Sequence, residues 1–460
     1  MSLQADFQFS RSDFEAVVRD ALKLARQLGA TDAVAEVSEA YGLSVSARMG
    51  ALENVERNRD KSMGVTVYLG ARRGHASTSD FSARAIEQTV RSAYDIARFT
   101  AEDPLAGLPD ADDITSEPER DLDLFYPWDI DAKQAFEWAL HTEEAALQTD
   151  RRIQNSEGAG VSAQHSHFFA AHMREGQIDG RGIFKGGYAS SRHSISVAPI
   201  AQDGDSMQRD AWYSSMRDPR DLATPAAVGR YAAERALARL HGRKIRTMTC
   251  PVLFEAPLAA GLMGSLVHAL SGGALYRRSS FLLDSLGQQV LPKAIGMHED
   301  PFVLKGKGSS PFDDEGVRVQ ARDVIRDGVV QGYFLGSYSA RKLGMKTTGN
   351  SGGSHNLVMT HAATKPGDDL NAMLRKLDKG LFVTELMGQG VNGVTGDYSR
   401  GASGYWVEKG RIVHPVEEVT IAGNLKSMFM DIQAIGADAY TMGAKTIGSV
   451  LIGSMRVAGH

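Results

Sequence analysis

The segment from Thr384 to Ile412 combines many glycines with residues that normally pack in a β-sheet. It contains seven glycines together with Tyr398, Tyr405 and Trp406. A flexible linker would combine glycine with serine and would lack these aromatic side chains. Glycine within a strand-rich segment instead marks a turn, a bulge or the close approach of another backbone. The segment therefore predicts either a turn-rich sheet or the wall of a groove that accepts an extended peptide.

Composition narrows the function classes. The chain has 460 residues, which suggests two or three domains, and a net charge of −5 gives no argument for binding nucleic acid or an anionic membrane. No apolar run is long enough for a transmembrane helix, and the first residues do not resemble a secretory signal. Cys250 is the single cysteine, which excludes an internal disulfide and fits a reducing compartment. We therefore expect a cytoplasmic protein with neither a nucleic-acid nor a membrane partner.

Apolar periodicity predicts an α+β fold. Helices are expected over residues 12–29, 82–99, 132–148, 224–240 and 258–270. Short strands are expected over 33–37, 43–48, 52–58, 63–68 and 73–78, with turns at Gly50, Gly64 and Gly70. Longer antiparallel strands over 151–200 are expected to break at Gly158, Gly160, Gly176 and Gly180. Asp327-Gly328 and Lys409-Gly410 each separate two apolar runs and predict hairpin turns.

These elements predict three domains. Residues 1–102 form an N-terminal α+β domain of helices and antiparallel hairpins. Residues 103–243 form a middle domain with long antiparallel strands and flanking helices, and residues 244–460 form a mainly β domain. The C-terminal domain is expected to be largely antiparallel and either barrel-like or a sandwich.

Histidine spacing gives no metal motif. A zinc peptidase helix carries two histidines about one turn apart with a glutamate beside the first. His298-Glu299 has no second histidine at that spacing and is predicted to lie in a loop, while His268 lacks both partners. His165 and His167 would share one face of a strand, but no nearby acidic or cysteine ligand completes a set. We assign no metal site to this chain, and residual metal binding at His165 and His167 stays open.

The polar residues of the glycine-rich segments are better suited to binding than to catalysis. Asp397, Tyr398 and Arg400 offer a carboxylate, a phenol and a guanidinium on one predicted turn. His355 follows a second glycine cluster and could contact a ligand in a groove. No P-loop occurs in the sequence. We therefore predict these four residues as substrate contacts and assign no catalytic residue.

Six ordered motifs carry a family resemblance. They are YRRSSFLLDSLG at 276–287, PFDDEGVR at 311–318, SYSARKLG at 337–344, TTGNSGG at 347–353, TELMGQGV at 384–391 and GDYSRG at 396–401. With them the chain resembles the PmbA/TldD family of zinc peptidases (peptidase family U62) over nearly its whole length, and it looks like the PmbA (TldE) branch.

The resemblance implies a cytoplasmic heteromeric metalloprotease built from a TldD-type and a PmbA-type chain. Such an enzyme removes leader peptides and degrades small unfolded proteins. The TldD-type subunit carries an HExxxH helix and a late cysteine as zinc ligands. The corresponding histidine positions here fall near Gly264 or Ser265 and near Ala269 or Leu270, and residues 440–457 contain no cysteine. The resemblance thus implies that zinc lies on the TldD-type partner and that this chain serves assembly and the holding of extended peptides.

Two other interpretations of the sequence stay open. The chain could be an active metallopeptidase on its own, with ligands that the motifs do not reveal. It could also be a non-enzymatic scaffold whose glycine-rich grooves bind peptides for another purpose.

Overall fold

The computed structural model describes residues 7–176 and 183–459. Its N-terminal half contains α1 (Arg11–Gln27), β1 (Asp32–Arg48), β2 (Ala51–Leu69), β3 (Arg72–Thr78), α2 (Ala83–Phe99), α3 (Ala132–Leu147), β4 (Ile153–Arg174), β5 (Lys185–Gly186), β6 (Ala189–Asp203), β7 (Ser206–Arg209), β8 (Trp212–Met216) and α4 (Pro225–Ala238). These strands form one antiparallel sheet in the order β3-β2-β1-β4-β6-β7, to which β5 and β8 add short pairings.

The helices cover one face of this sheet in two groups. Helices α1 and α2 enclose a core around Phe14 and Phe169, while α3 and α4 enclose a second core around Ile195. Helix α1 starts with a capping box, in which the Ser10 side chain accepts from the Asp13 N–H and the Asp13 side chain accepts from the Ser10 N–H. The opposite face of the sheet is free of these helices.

The N-terminal strands are longer than the sequence predicted. Gly64 lies inside β2 rather than in a turn, and Gly158 and Gly160 lie inside β4 rather than at breaks. Gly176 follows the end of β4, and Gly180 lies outside the described residues. Strand β4 pairs with β1 from Asp32↔Arg174 to Ala47↔Ala159, so one sheet joins the predicted first and middle domains. The domain boundary at residue 102 stays a prediction.

The C-terminal half consists of many shorter elements. They are β9 (Met248–Phe254), α5 (Ala256–Ala269), α6 (Gly272–Tyr276), β10 (Ile295–Asp300), β11 (Arg322–Arg326), β12 (Val329–Val330), α7 (Ser337–Lys342), β13 (Asn356–His361), α8 (Leu370–Leu377), β14 (Gly380–Met387), β15 (Asp397–Glu408), β16 (Arg411–Asn424), α9 (Leu425–Met430), β17 (Ile432–Ile435), β18 (Tyr440–Met442), β19 (Lys445–Ile447) and β20 (Val450–Ala458).

Five of these strands close into a barrel. The sheet order β16-β15-β14-β9-β20 is completed by pairing between β16 and β20. A second sheet, in the order β12-β11-β10-β13-β19-β18, packs with α5 against the same core. The α+β fold class with a barrel-like, largely antiparallel C-terminal domain is therefore confirmed.

Both predicted hairpin turns are confirmed. Asp327 and Gly328 join β11 to β12, and Lys409 and Gly410 join β15 to β16. All four residues have positive φ, as expected for two-residue turns that match the twist of the strands. Within residues 7–176 and 183–459, no helix is long and apolar enough to cross a membrane.

Candidate functional site

A cavity of about 610 Å³ opens beside α5. We call it the α5 cavity. One wall consists of Gly264, Val267 and His268 on α5, followed by the turn to α6. The other walls come from Glu315, from the start of α7 and from the glycine cluster at 350–354. The cavity thus collects three of the motifs that carry the family resemblance.

Helix α5 turns its other side into the core. Leu266, Ala269 and Leu270 are fully buried, so no side chain at 269 or 270 would reach the cavity. A Cβ built on Gly264 would lie 3.8 Å from the Lys445 side chain, an ordinary contact distance. The cavity-facing positions therefore offer His268, which is exposed, and no second imidazole among the described lining residues.

The side chains around α5 do not fit a catalytic zinc ion. Such an ion requires three protein ligands with suitable geometry. In the part of the chain that the structure describes, no group of three His, Cys, Asp or Glu side chains could hold a metal ion. Cys250 lies buried in the barrel core, and burial raises the pKa of its thiol to about 11. We therefore derive no chemical step through a metal on this chain.

The glycine-rich segment forms the loop between β14 and β15, and this loop folds back on β15. A Cβ on Gly390 would lie 1.7 Å from the Ser399 carbonyl oxygen, so only glycine allows this approach. The Ser399 N–H donates to the Gly390 carbonyl at 2.7 Å. Further along the loop, a Cβ on Gly393 would lie 3.7 Å from the His268 ring. The loop is both a tight turn region and a neighbour of the α5 cavity.

The predicted contacts Asp397, Tyr398 and Arg400 lie on β15 and not on a turn. Asp397 is exposed and accepts from the Thr395 hydroxyl at 2.7 Å, and this bond lowers the pKa of its carboxyl. Tyr398 points the other way, is 3% exposed, and has its pKa raised to about 12 by burial. Arg400 is half-buried on the same side as Tyr398. The strand therefore separates the carboxylate from the phenol and guanidinium, and their binding role stays a prediction.

The fourth predicted contact, His355, belongs to a buried polar network. Its backbone N–H and its Nδ1 lie 2.9 and 3.1 Å from Glu299 Oε1. Asn350 Nδ2 donates to the same oxygen at 2.8 Å, and Arg322 Nε donates to Oε2 at 2.8 Å. Burial would raise the pKa of Glu299, but the His355 donors and the Arg322 charge lower it below its ordinary value.

This network corrects one prediction and gives Glu299 a role that the sequence did not indicate. His298 and Glu299 lie in strand β10 and not in a loop. Glu299 is 1% exposed, so it organises the glycine cluster from beneath. That role could not be found from sequence, because the partners of Glu299 come from separate segments more than about twenty residues away along the chain.

His165 and His167 both lie on the helix-covered face of β4. His165 Nε2 accepts from the Trp128 N–H at 3.1 Å, and its ring stacks on Tyr41. His167 lies 3.4 Å from Glu39 and stacks on Phe14. Burial is the main cause that lowers the pKa of both imidazoles, to about 4 for His165. Each ring is thus engaged by core neighbours of its own.

The loop at 313–315, within the motif PFDDEGVR, is a further part of the site whose role the sequence did not indicate. Asp313 accepts from the backbone N–H groups of Glu315 and Val317 at 2.9 Å and from that of Ser351 at 3.0 Å. Burial and the Glu315 charge nevertheless raise the pKa of Asp313 to about 7. The buried carboxyl fixes the position of the exposed Asp314 and of Glu315 beside the glycine cluster.

Comparisons with known proteins agree with this architecture. Three profiles of the PmbA/TldA metallopeptidases match the chain: domain 1 at residues 33–97, the central domain at 184–240 and the C-terminal domain at 247–459. Metalloprotease PmbA of Escherichia coli O157:H7 is 46% identical over 461 residues, which cover 100% of this chain and 99% of that protein.

The chain belongs to the PmbA/TldD family of metallopeptidases.

Solved structures of similar proteins share the fold. A Bacteroides thetaiotaomicron protein described as a candidate modulator of DNA gyrase is 25% identical, with a TM-score of 0.87 over 98% of this chain and 100% of that one. TldE from Thermococcus kodakarensis is 16% identical, with a TM-score of 0.82 over 96% of this chain and 100% of that one. Because the curated relative is named a metalloprotease, membership of the PmbA/TldD family supports a peptidase-type hydrolase.

Proposed function

We propose that this chain is the zinc-free, PmbA/TldE-type subunit of a cytoplasmic heteromeric metallopeptidase. A TldD-type partner supplies the zinc ion and the general base. Together with this partner, the chain encloses a chamber. It also holds extended peptides, such as leader peptides and segments of small unfolded proteins. No residue of this chain acts as a catalytic group in this proposal.

The observation that carries the proposal is the composition of the α5 cavity. The helix face that borders it presents Gly264, Val267 and His268, a set with one imidazole and no carboxylate. One imidazole alone neither holds zinc tightly nor lowers the pKa of a zinc-bound water to about 7. The cavity is nevertheless large and has glycine-rich walls, and both features are consistent with a role in binding peptide.

The edge of a sheet beside α5 supports the holding of extended chains. Strand β18 is the last strand of its sheet among the described residues, and it contacts α5. A peptide that adds to such an edge is held by main-chain hydrogen bonds. Binding of this kind depends little on side chains, so it suits an enzyme that accepts many sequences.

The test is co-purification with the TldD-type chain of the same organism, followed by digestion of casein and of an unfolded peptide. We expect activity only with both chains, and loss of activity with a zinc chelator. His268→Ala should leave the activity of the complex within about twofold of wild type, like His141→Ala, an exposed histidine on α3.

Metal analysis of each purified chain separates the alternatives. Stoichiometric zinc and peptidase activity in this chain alone, both lost in His268→Ala, would show that it is a metallopeptidase in its own right. Failure to bind any TldD-type chain or any unfolded peptide would favour an unrelated scaffold.

A further inference from the structure

A second cavity, of about 640 Å³, lies between the N-terminal sheet and the C-terminal half. We call it the acidic recess. Because side chains alternate along a strand, β1 sends Ala33, Ala35 and Val37 into the core and turns Glu36 to the opposite face, where it lines the recess. The facing wall includes Asp314 and Glu315.

The acidic recess adjoins the α5 cavity. Glu315, Tyr338 and Ser351 line both cavities. The two cavities are therefore neighbours on the same side of the chain's glycine cluster at 350–354.

Two carboxylates in the recess have no partner in the part of the chain that the structure describes. Within the described residues, neither Glu36 nor Asp314 accepts a hydrogen bond or forms an ion pair, and both are exposed to the cavity. Glu315 accepts from the Ser337 N–H at 2.8 Å. Burial, followed by the charges of Glu36 and Glu315, raises the pKa of Asp314. Like charges that crowd a cavity are relieved by a bound cation.

The remaining charges of the recess do not neutralise this pair. Asp103 accepts from the Tyr338 hydroxyl at 2.6 Å and lies 3.4 Å from Lys342, so it is already compensated. Arg73 contributes one positive charge. Glu36, Asp314 and Glu315 outnumber it, and the recess keeps a net negative charge.

Glycines make the room in which the carboxylates lie. Gly64 is the register partner of Glu36, and a Cβ there would lie 2.8 Å from Glu36 Oε1 and 3.3 Å from the His75 ring. A Cβ on Gly352 would lie 2.3 Å from Asp314 Oδ2. Both carboxylates thus occupy space that any other residue type at 64 or 352 would fill.

His172 provides an independent observation. His172 is the register partner of Val34, lines the recess and is 6% exposed. Its Nδ1 has no hydrogen-bond partner among the described residues. Burial, together with the charge of Arg174, lowers the pKa of His172 to about 3, so the ring is neutral. A neutral imidazole carries no positive charge that would repel a cation in the recess.

We propose that the acidic recess binds the alkylammonium group of a peptide, either its α-ammonium or a lysine side chain. Such a group has a positive charge for Glu36 and Asp314 and several N–H donors for their carboxylates, and the neutral His172 ring does not repel it. The inference rests on the proposed function, because it names the feature by which the held peptide is oriented. A peptide fixed at its ammonium end in the recess would lie with its following residues along α5.

The experiment uses four hexapeptides of alanine, serine and glycine with a C-terminal fluorescein. The first has a free amine and no lysine, and the second is the same peptide with an acetylated amine. The third and fourth are acetylated and carry one lysine or one norleucine at the same position. Binding is measured by fluorescence polarisation with the full chain, alone and in complex with its TldD-type partner.

We expect acetylation, or replacement of lysine by norleucine, to weaken binding about tenfold or more, since a charge-assisted contact is lost. The first pair of peptides reports the α-ammonium and the second pair the lysine side chain. Glu36→Gln and Asp314→Asn should weaken only the cationic peptides. Glu56→Gln, on the same sheet face but outside the recess, is the matched control and should change none of them.

The proposal is overturned if all four peptides bind equally, or if Glu36→Gln and Asp314→Asn affect the neutral and cationic peptides alike. It is also overturned if the complex digests casein while none of the four peptides shows ammonium-dependent binding. In that case the proposed function stands and this inference alone fails. If neither chain nor complex binds or cleaves any peptide, both fail together.

Discussion

The buried Glu299 network leads to a sharp prediction for Glu299→Gln. The substitution keeps the shape of the side chain and removes its charge. The Arg322 guanidinium, 12% exposed in its side chain, then lies beside a neutral amide. The amide oxygen can still accept from Asn350 and His355, which donate to Oε1. The loss of stabilising free energy therefore comes mainly from the contact between the Arg322 guanidinium and Oε2.

Removing one partner of a buried ion pair costs about 3–5 kcal/mol, because the remaining charge is left without compensation. Since the two donors to Oε1 are retained, we expect the lower end, about 3 kcal/mol. At roughly 1.4 kcal/mol per factor of ten, this is about a hundredfold change in the opening equilibrium. The effect should be local to β10 and to the strands that pair with it.

Hydrogen exchange followed by mass spectrometry measures this directly. Peptides that cover β10 (Ile295–Asp300) and β13 (Asn356–His361) should exchange about a hundredfold faster in Glu299→Gln, since their protection reports the local opening free energy. His298→Gln, at the exposed neighbouring position on β10, is the matched control and should change exchange less than about threefold. If exchange in Glu299→Gln were no faster than in the control, Glu299 would not be the charged hydrogen-bond acceptor that stabilises these strands.

The pH dependence gives a second measurement on the same group. The pKa of Glu299 is lower in the folded chain than its ordinary value. A carboxyl whose pKa is depressed by folding stabilises the fold above its unfolded pKa, and this contribution is lost as pH falls through the folded pKa. Protection of β10, corrected for intrinsic exchange, should therefore fall below about pH 4 in the wild type and lack this component in Glu299→Gln.

Three further predictions concern other parts of the chain. Gly74→Ala places a Cβ 2.0 Å from the Ala93 carbonyl oxygen and should lower stability by about 1–3 kcal/mol in thermal denaturation, whereas Gly261→Ala, in open space on α5, should not lower it. A larger loss in Gly261→Ala would contradict the steric argument. Because burial raises the pKa of Cys250 to about 11, iodoacetamide at pH 8 should alkylate the native thiol far more slowly than the thiol in urea, as followed by mass spectrometry. Equal rates would mean that the thiol is not buried. The pKa of Asp313 is raised to about 7, so the stability it contributes is present below its unfolded pKa and lost as pH rises through 7. Asp313→Asn should flatten this decline between pH 4 and 8 in thermal scans, and a wild type that shows no decline would contradict the assignment.

Local sequence signals were enough to predict the five longest helices of the described residues and the two hairpin turns, but not the short helices α6 to α9. The apolar stripe locates α1, and Lys409-Gly410 locates a hairpin, because these signals act within a few residues. Glycine misled the prediction where its role is non-local. Gly64 was predicted to be a turn, yet it lies within β2. The absence of a side chain there leaves space for Glu36 on the neighbouring strand.

The candidate site was predictable only in part, for the same physical reason. The motifs pointed to the glycine clusters and to α5, and these do meet in one cavity. The acidic recess could not be predicted, because Glu36 and Asp314 approach each other only after the N-terminal sheet packs on the C-terminal half. Which face of a strand a residue occupies also depends on register, and register separates Asp397 from Tyr398 and Arg400 on β15.

The pairing of β1 with β4 has a consequence for how the chain folds during synthesis. On one side, strand β1 pairs with β2, which follows it directly in the chain. On the other side it pairs with β4, and Ala159, the partner of Ala47, is synthesised more than about a hundred residues later. At roughly 5–20 residues per second, a ribosome takes roughly 5–20 s to deliver that strand. During this interval the nascent β1–β2 hairpin carries an open strand edge, which is the state in which a sheet protein most readily aggregates. We therefore expect the yield of native chain in a cell-free translation reaction to depend on a chaperone present before residue 174 emerges, and to depend on it much less afterwards.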